Sequence, residues 1–211
     1  MLEEKISKEI ETNKGRVHIE SKLTLDRFQK LIFASDFTDQ GRYRSIYSKK
    51  EDLESFVKKG GKISLAILNN RIIIGFAILD YPNSEKRWAR MGENIIMELT
   101  AVEVLREYRN QGIAQHLLSS LFFDPELEQK IVYLTAYSWI WDLDFLDFSV
   151  QGYRNMLVSL YRGFRFLEYP TNEPNICLKP ENIFMVRKGE NVSREIQEDF
   201  KWLRFGIYKD G

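Results

Sequence analysis

The stretch that most constrains the fold runs from Ile95 to Phe123. It begins with Ile95-Ile96-Met97-Glu98-Leu99-Thr100-Ala101-Val102-Glu103-Val104, continues through Leu105 to Tyr108, and then gives Arg109-Asn110-Gln111-Gly112-Ile113-Ala114 and an apolar segment. Ile113, Leu117, Leu118, Leu121 and Phe122 recur at helical spacing, so the stretch reads as a buried strand, a tight turn and a helix with one apolar face. A helix start leaves its first backbone N–H groups without intrahelical partners and carries roughly half a positive charge from the aligned peptide dipoles. Anions settle there without needing a lysine. Gly112 has no Cβ, so a ligand can come close to the backbone, and Ala114 keeps the next point of approach small. The turn therefore reads as a phosphate-binding site for a nucleotide-type ligand.

Two other phosphate loops are excluded. The chain has no G-x-x-x-x-G-K-[ST], and the stretch holds one glycine where a dinucleotide fingerprint has three. The 211 residues suit one domain with appendages, divided here as an N-terminal extension over 1–15, a main domain over 16–190 and a C-terminal helical extension over 191–211. Lys+Arg and Asp+Glu both number 31, which argues against a dedicated nucleic-acid partner, since such proteins carry a basic excess. Cys177 is the single cysteine, so no internal disulfide forms and a reducing compartment fits. With Asn175, Leu178 and Pro180 around it, a buried or loop cysteine is expected rather than a catalytic thiol. Met1-Leu2-Glu3-Glu4-Lys5 lacks the apolar core of a signal peptide and no apolar run reaches membrane-spanning length, so the expected location is the cytoplasm, with no membrane partner. His18 and His116 read as a surface strand residue and a helix residue, and no metal site is expected.

Along the chain, residues 1–15 are charged with a weak apolar pattern and read as a short helix or a frayed terminus. Arg16 to Leu23 alternates like a strand; Leu25, Phe28, Leu31 and Ile32 recur at helical spacing. Glu51 to Lys59 is a second amphipathic helix through Leu53, Phe56 and Val57, ended by Gly60-Gly61. Ile63–Leu68 and Arg71–Leu79 form a hairpin around Asn69-Asn70. After the central helix come a strand over Lys130–Ala136, a helix over Tyr153–Leu160, strands over Arg165–Tyr169 and Ile183–Lys188 with a Pro170–Pro180 loop between them, and a last helix capped by Ser193.

Arg109 to Ala114, placed directly after a strand, resembles the R-x-x-G-x-A signature of the GCN5-related N-acetyltransferase superfamily. That resemblance implies an α/β fold with a mixed central sheet flanked by helices. It also implies that Arg109, Asn110, Gln111, Gly112, Ile113 and Ala114 hold the pyrophosphate of acetyl-CoA, the co-substrate. Backbone N–H groups near Val102 and Val104 are then candidates for the thioester carbonyl and the pantetheine arm. Several further segments, among them Glu85-Lys86-Arg87-Trp88, Trp139-Ile140-Trp141-Asp142-Leu143, Tyr153-Arg154, Gly189-Glu190-Asn191-Val192-Ser193 and Leu203-Arg204-Phe205, resemble the acetoin utilization acetyltransferase family of bacilli over nearly the whole length. This implies acetyl transfer to an active-site lysine of acetyl-CoA synthetase, the expected protein partner, which switches that enzyme off.

The chemistry sets its own demands. A lysine ammonium has a reference pKa of ~10.4, so something must take its proton before it can attack a thioester. Glu98 matches the strand glutamate that many superfamily members use as general base, desolvated by Ile96, Met97 and Leu99. Its structural alternative is a pair with an arginine at a strand end. Glu103, five residues on, faces the other way under strict alternation unless a bulge intervenes, and is the second candidate. The superfamily often supplies a tyrosine acid four residues ahead of a Gly-Phe pair; here that pair is Gly163-Phe164 and the residue four ahead is Ser159, which leaves Tyr161 and Tyr153 as acid candidates or packing residues. The segment from Trp139 to Asp147 reads either as a protein-docking surface or as two core tryptophans with solvated acids. Beside a protein lysine N-acetyltransferase stand two other functions, a small-amine N-acetyltransferase and a non-catalytic acetyl-CoA-binding regulator.

Overall fold

The computed structural model describes residues 8–37, 47, 49–58, 61–145 and 149–208. Residues 1–7 of the expected N-terminal extension, Lys59 and Gly60 at the expected helix end, Leu146 and Asp147 of the tryptophan segment, and residues 209–211 of the C-terminal extension lie outside the described residues. The chain forms two compact units: the residues up to Asp80 together with Thr100–Phe123, and Tyr81–Leu99 together with the residues from Asp124 on.

The first unit opens with a strand where a helix or frayed end was expected. Lys8–Thr12 (β1) pairs antiparallel with Gly15–Ser21 (β2), Ile10 opposite Val17. The turn between them is closed by Thr12 Oγ1, which donates to Gly15 O at 2.5 Å. The short α1 (Leu25–Gln29) follows, with Thr24 capping it by accepting from Arg27 N. Its expected last residue, Ile32, has instead left the helix: Ile32–Phe33 (β3) lies parallel to the start of the fifth strand, with Ile32 opposite Ile72. Then come α2 (Lys50–Lys58), β4 (Lys62–Leu68) and β5 (Ile72–Asp80). Asn69 and Asn70 both take positive φ, +48° and +59°, the backbone that a two-residue hairpin turn requires.

Strand β6 (Ile96–Val104) runs through both units. In the first unit its later residues lie beside β5, Thr100 Oγ1 donating to Ile78 O, and the sheet order is β1-β2-β4-β5-β6. Helix α3 (Ile113–Phe122) packs on β2, β4 and β5 and buries Ile113, Leu117, Leu118 and Leu121. Each fully buried side chain of this kind contributes about 1.5–3 kcal/mol, so the apolar stripe read from the sequence is what fixes the helix on the sheet.

In the second unit the first residues of β6 run parallel to β7 (Ile131–Ala136), with Ile96 opposite Ile131 and Glu98 opposite Tyr133. Helix α4 (Val150–Arg162) is longer than its apolar pattern, because Ser149 caps it by accepting from Gly152 N. Strand β8 shrinks to Leu167–Glu168, both exposed, following Arg165 at φ +68°. Within the expected loop a short α5 (Pro174–Cys177) forms, and Cys177 is exposed on it, so the cysteine is neither buried nor in a loop. Strand β9 (Ile183–Lys188) is antiparallel to β7 and to β8. Helix α6 (Arg194–Leu203), capped by Ser193, sends Phe200 and Leu203 into a core with Trp88, Ile96, Ile131, Tyr133, Phe184 and Val186. Trp88 stacks on Phe184 with ring centroids 5.2 Å apart. Each unit thus holds a mixed sheet flanked by helices.

Candidate active site

The turn between β6 and α3 belongs wholly to the first unit. Leu105 N donates to Ile74 O, which ties the strand's exit to β5, and a single helical turn over Arg106–Tyr108 buries Tyr108. Arg109 then folds back, its Nε donating to Val104 O at 2.9 Å. Asn110 and Gly112 take φ of +61° and +76°, so the backbone reverses twice within three residues. Alternation of left-handed and ordinary residues of this kind turns successive N–H groups towards one point and makes an anion-binding concavity.

Among the described residues, no backbone carbonyl accepts from the N–H groups of Gln111, Gly112, Ile113, Ala114 or Gln115; the first helical bond is His116 N to Gly112 O. These donors remain for a ligand. The space beside Gly112 is open, since a Cβ there would meet nothing nearer than Gln115 Oε1 at 3.9 Å and His116 Nε2 at 4.0 Å. Ile113 is buried and anchors the helix start, while Gln111, Gly112 and Ala114 are half-buried. The rim carries a Lys14–Glu107 ion pair, with the Gln111 amide donating to Glu107 O. Val102, Glu103 and Val104 lie on the same unit's part of β6, Glu103 and Val104 buried and Val102 half-buried.

The second unit holds Glu98. Its side chain is 10% exposed, and Lys86 Nζ donates to both carboxylate oxygens at 2.9 and 2.6 Å. The structural alternative to a general base was a pair with an arginine; the cation found there is Lys86. Across the ladder from Glu98 stands Tyr133, whose hydroxyl is pushed well above the usual tyrosine range by burial first and by the negative charge of Glu98 second. It stays protonated. Lys86 was missed because a pair twelve residues apart, joined through a loop and a strand, leaves no periodic mark in a sequence.

Tyr161 is buried on α4 with its ring edge against Phe166, and burial pushes its hydroxyl upward as well. A tyrosine so shifted keeps its proton and serves as a hydrogen-bond donor more readily than as an acid. Tyr153 stacks on Trp141 at 5.3 Å. Ser159, at the position where the superfamily often has tyrosine, is exposed. The tryptophan segment does not form a core of two rings: Trp141 is half-buried against Tyr153, whereas Trp139 is 58% exposed and stacked at 4.7 Å on Tyr137. Asp142 is buried and Asp144 exposed, so its acids do not form one solvated face. Among the described residues no group of three His, Cys, Asp or Glu is placed to hold a metal ion, and no helix is long and apolar enough to cross a membrane.

Comparison with known proteins bears on this geometry. The family model described as Acetyltransferase (GNAT) family matches residues 26–137, which span the β6–α3 turn, Lys86, Glu98 and Tyr133. Acetoin utilization protein AcuA of Bacillus licheniformis is 30% identical over 200 residues, 94% of this chain and 93% of that protein. AcuA of Bacillus subtilis is 31% identical over 199 residues, with 94% and 93% covered. The crystal structure of an acetoin utilization protein from Exiguobacterium sibiricum superposes with a TM-score of 0.85 at 29% identity, covering 95% of this chain and 93% of that one.

Proposed function

The chain belongs to the GNAT family of acetyltransferases and, within it, to the acetoin utilization proteins, and on that premise we propose that it transfers the acetyl group of acetyl-CoA to a lysine of acetyl-CoA synthetase in the cytoplasm. The observation that carries the acceptor class is Glu98: a carboxylate nine-tenths removed from water that already receives a lysine ammonium on both oxygens. A general base must lie within hydrogen-bond reach of the proton it takes, and this one is built to that distance for an amine.

In this mechanism the backbone N–H groups of the Arg109–Ala114 turn hold the pyrophosphate of acetyl-CoA. Glu98 takes a proton from the acceptor ammonium, directly or through water. The neutral amine attacks the thioester carbonyl, whose developing oxyanion is met by backbone N–H groups at Val102 and Val104. Collapse breaks the C–S bond, the attacking nitrogen loses its second proton to solvent, and the CoA sulfur takes its proton from solvent. Glu103 is the second candidate for the base. Trp139, with the exposed Ile140 beside it, supplies an aromatic surface suited to a protein acceptor.

The test is intact-mass spectrometry of acetyl-CoA synthetase incubated with the chain and acetyl-CoA, its adenylation activity followed in parallel. One added acetyl group with lost activity is the expected result. No adduct despite acetyl-CoA binding would remove the synthetase as acceptor. Glu98→Gln separates an enzyme from a docking regulator: the enzyme loses turnover while binding acetyl-CoA, and the regulator keeps its effect on its partner.

A further inference from the structure

We propose that Lys86 is itself an acetyl acceptor, modified within its own molecule at the position an incoming lysine would take on Glu98. The inference rests on the assignment of Glu98 as general base. Whatever ammonium that base touches stands where a substrate ammonium must stand, and in the free chain it touches Lys86 Nζ through both oxygens at 2.9 and 2.6 Å.

Lys86 is not a loose surface lysine. Its N–H donates to Asn83 O at 2.8 Å and its carbonyl accepts from Ala89 N at 3.0 Å, while Trp88, two residues on, is locked in the core. The backbone therefore delivers the side chain to one place. The side chain is nonetheless 47% exposed, so it is open to reagents from solvent. The contrast within the chain is Lys201, whose partner Glu198 is 59% exposed and can serve as no desolvated base. The burial that makes Glu98 suitable for an external lysine acts equally on Lys86.

The step balances without a further reagent. Glu98 takes one proton from the Lys86 ammonium, Nζ attacks the thioester carbonyl carbon, the N–C bond forms and the C–S bond breaks. Of the two protons that Nζ loses, one ends on the CoA sulfur and the other in solvent; the products are acetyl-Lys86 and CoA. Acetylation removes the positive charge, so the ion pair with Glu98 ends and the carboxylate becomes available to an external ammonium. Lys86 in its free form is thus a competitor that its own reaction removes.

The test incubates the full chain with isotope-labelled acetyl-CoA and maps label by peptide mass spectrometry over time and over a dilution series. The expected result is label at Lys86 ahead of Lys201, at a rate independent of protein concentration, and slowed about a hundredfold or more in Glu98→Gln, the usual contribution of a general base. Lys86 labelled no faster than Lys201 in the unmodified chain, or at a rate proportional to protein concentration, would overturn the proposal without recourse to any variant. Transfer to acetyl-CoA synthetase is assayed on the same preparation. Transfer there with Lys86 unlabelled overturns this inference alone; neither acceptor labelled, with acetyl-CoA bound, removes the underlying assignment of Glu98 and this inference with it.

Discussion

Replacing Gly112 separates the backbone strain of the β6–α3 turn from its proposed hold on phosphate. Gly112 sits at φ +76°, ψ 1°, and caps α3. An alanine there must enter the left-handed region, which costs about 1–2 kcal/mol for a residue with a Cβ. No steric charge is added, because the nearest atoms to that Cβ lie 3.9 and 4.0 Å away. The whole destabilisation of Gly112→Ala is therefore backbone strain, and for a chain of this size it lowers Tm by about 2–8 °C. Gly112→Asn keeps most of that stability, since asparagine tolerates the left-handed region, as Asn110 does at φ +61°. Both variants, however, add side-chain atoms to the turn that carries the open N–H groups. Losing one charge-assisted hydrogen bond to a pyrophosphate weakens binding by about 1.5–3 kcal/mol, roughly ten- to a hundredfold in Kd. Thermal melts and calorimetric titration with CoA read the two effects independently. Gly112→Asn with the native affinity for CoA would refute the turn as the phosphate site, and Gly112→Ala with an unchanged Tm would refute the strain.

Other perturbations test the surrounding framework. A Cβ on Gly189 would lie 2.3 Å from Glu128 O, part of a backbone held by Asn191 N at 2.8 Å, so Gly189→Ala should cost about 3 kcal/mol or more in denaturant unfolding; a native midpoint contradicts this. Tyr133 and Tyr161 both have hydroxyls pushed upward, so the native chain keeps protons that the unfolded chain releases above pH ~10; the stability they confer is complete below that pH and declines above it. Their tyrosinate absorbance should appear together with loss of circular dichroism, and ionisation in a still-folded chain would count against the burial argument. Trp139→Ala should leave stability within about 0.5 kcal/mol, because the ring is exposed, while raising KM for a protein acceptor. An equal loss with a small amine acceptor would show that the ring does not dock protein.

The features legible in the sequence are those whose partners are near in the chain. The strand–turn–helix around Gly112 announces itself by helical spacing and a glycine; the Asn69-Asn70 hairpin and the Ser193 cap do so by residues whose backbone preferences are local. What sequence left out depends on distant partners. Lys8–Thr12 carries little apolar pattern and becomes a strand only because β2 offers it a ladder. Ile32 continues a helical period but is taken by β5. Trp139 and Trp141 are two residues apart with the same chemistry and each stacks on a tyrosine, yet Trp139 is exposed and Trp141 half-buried, a difference set by the fold around them. Lys86 and Glu98 meet through the fold alone.

The two halves of the proposed chemistry differ in kind, and this predicts how variants will divide. Donor binding uses backbone N–H groups, which every residue but proline supplies, so most side-chain changes at Asn110, Gln111 or Gln115 leave the donors in place and act only through turn conformation. Proton transfer uses one carboxylate whose usefulness depends on what occupies it. A change at Glu98 removes the base outright. A change at Lys86 alters only the competitor for that base, and its sign follows from the charge it leaves: Lys86→Arg keeps a cation that cannot be released by acetylation, and Lys86→Gln mimics the acetylated state. Arginine should therefore slow transfer to an external lysine and glutamine should spare it, while acetyl-CoA binding changes with neither. If Lys86 were a scaffold for Glu98 instead, the order would reverse, because arginine preserves the ion pair and glutamine destroys it.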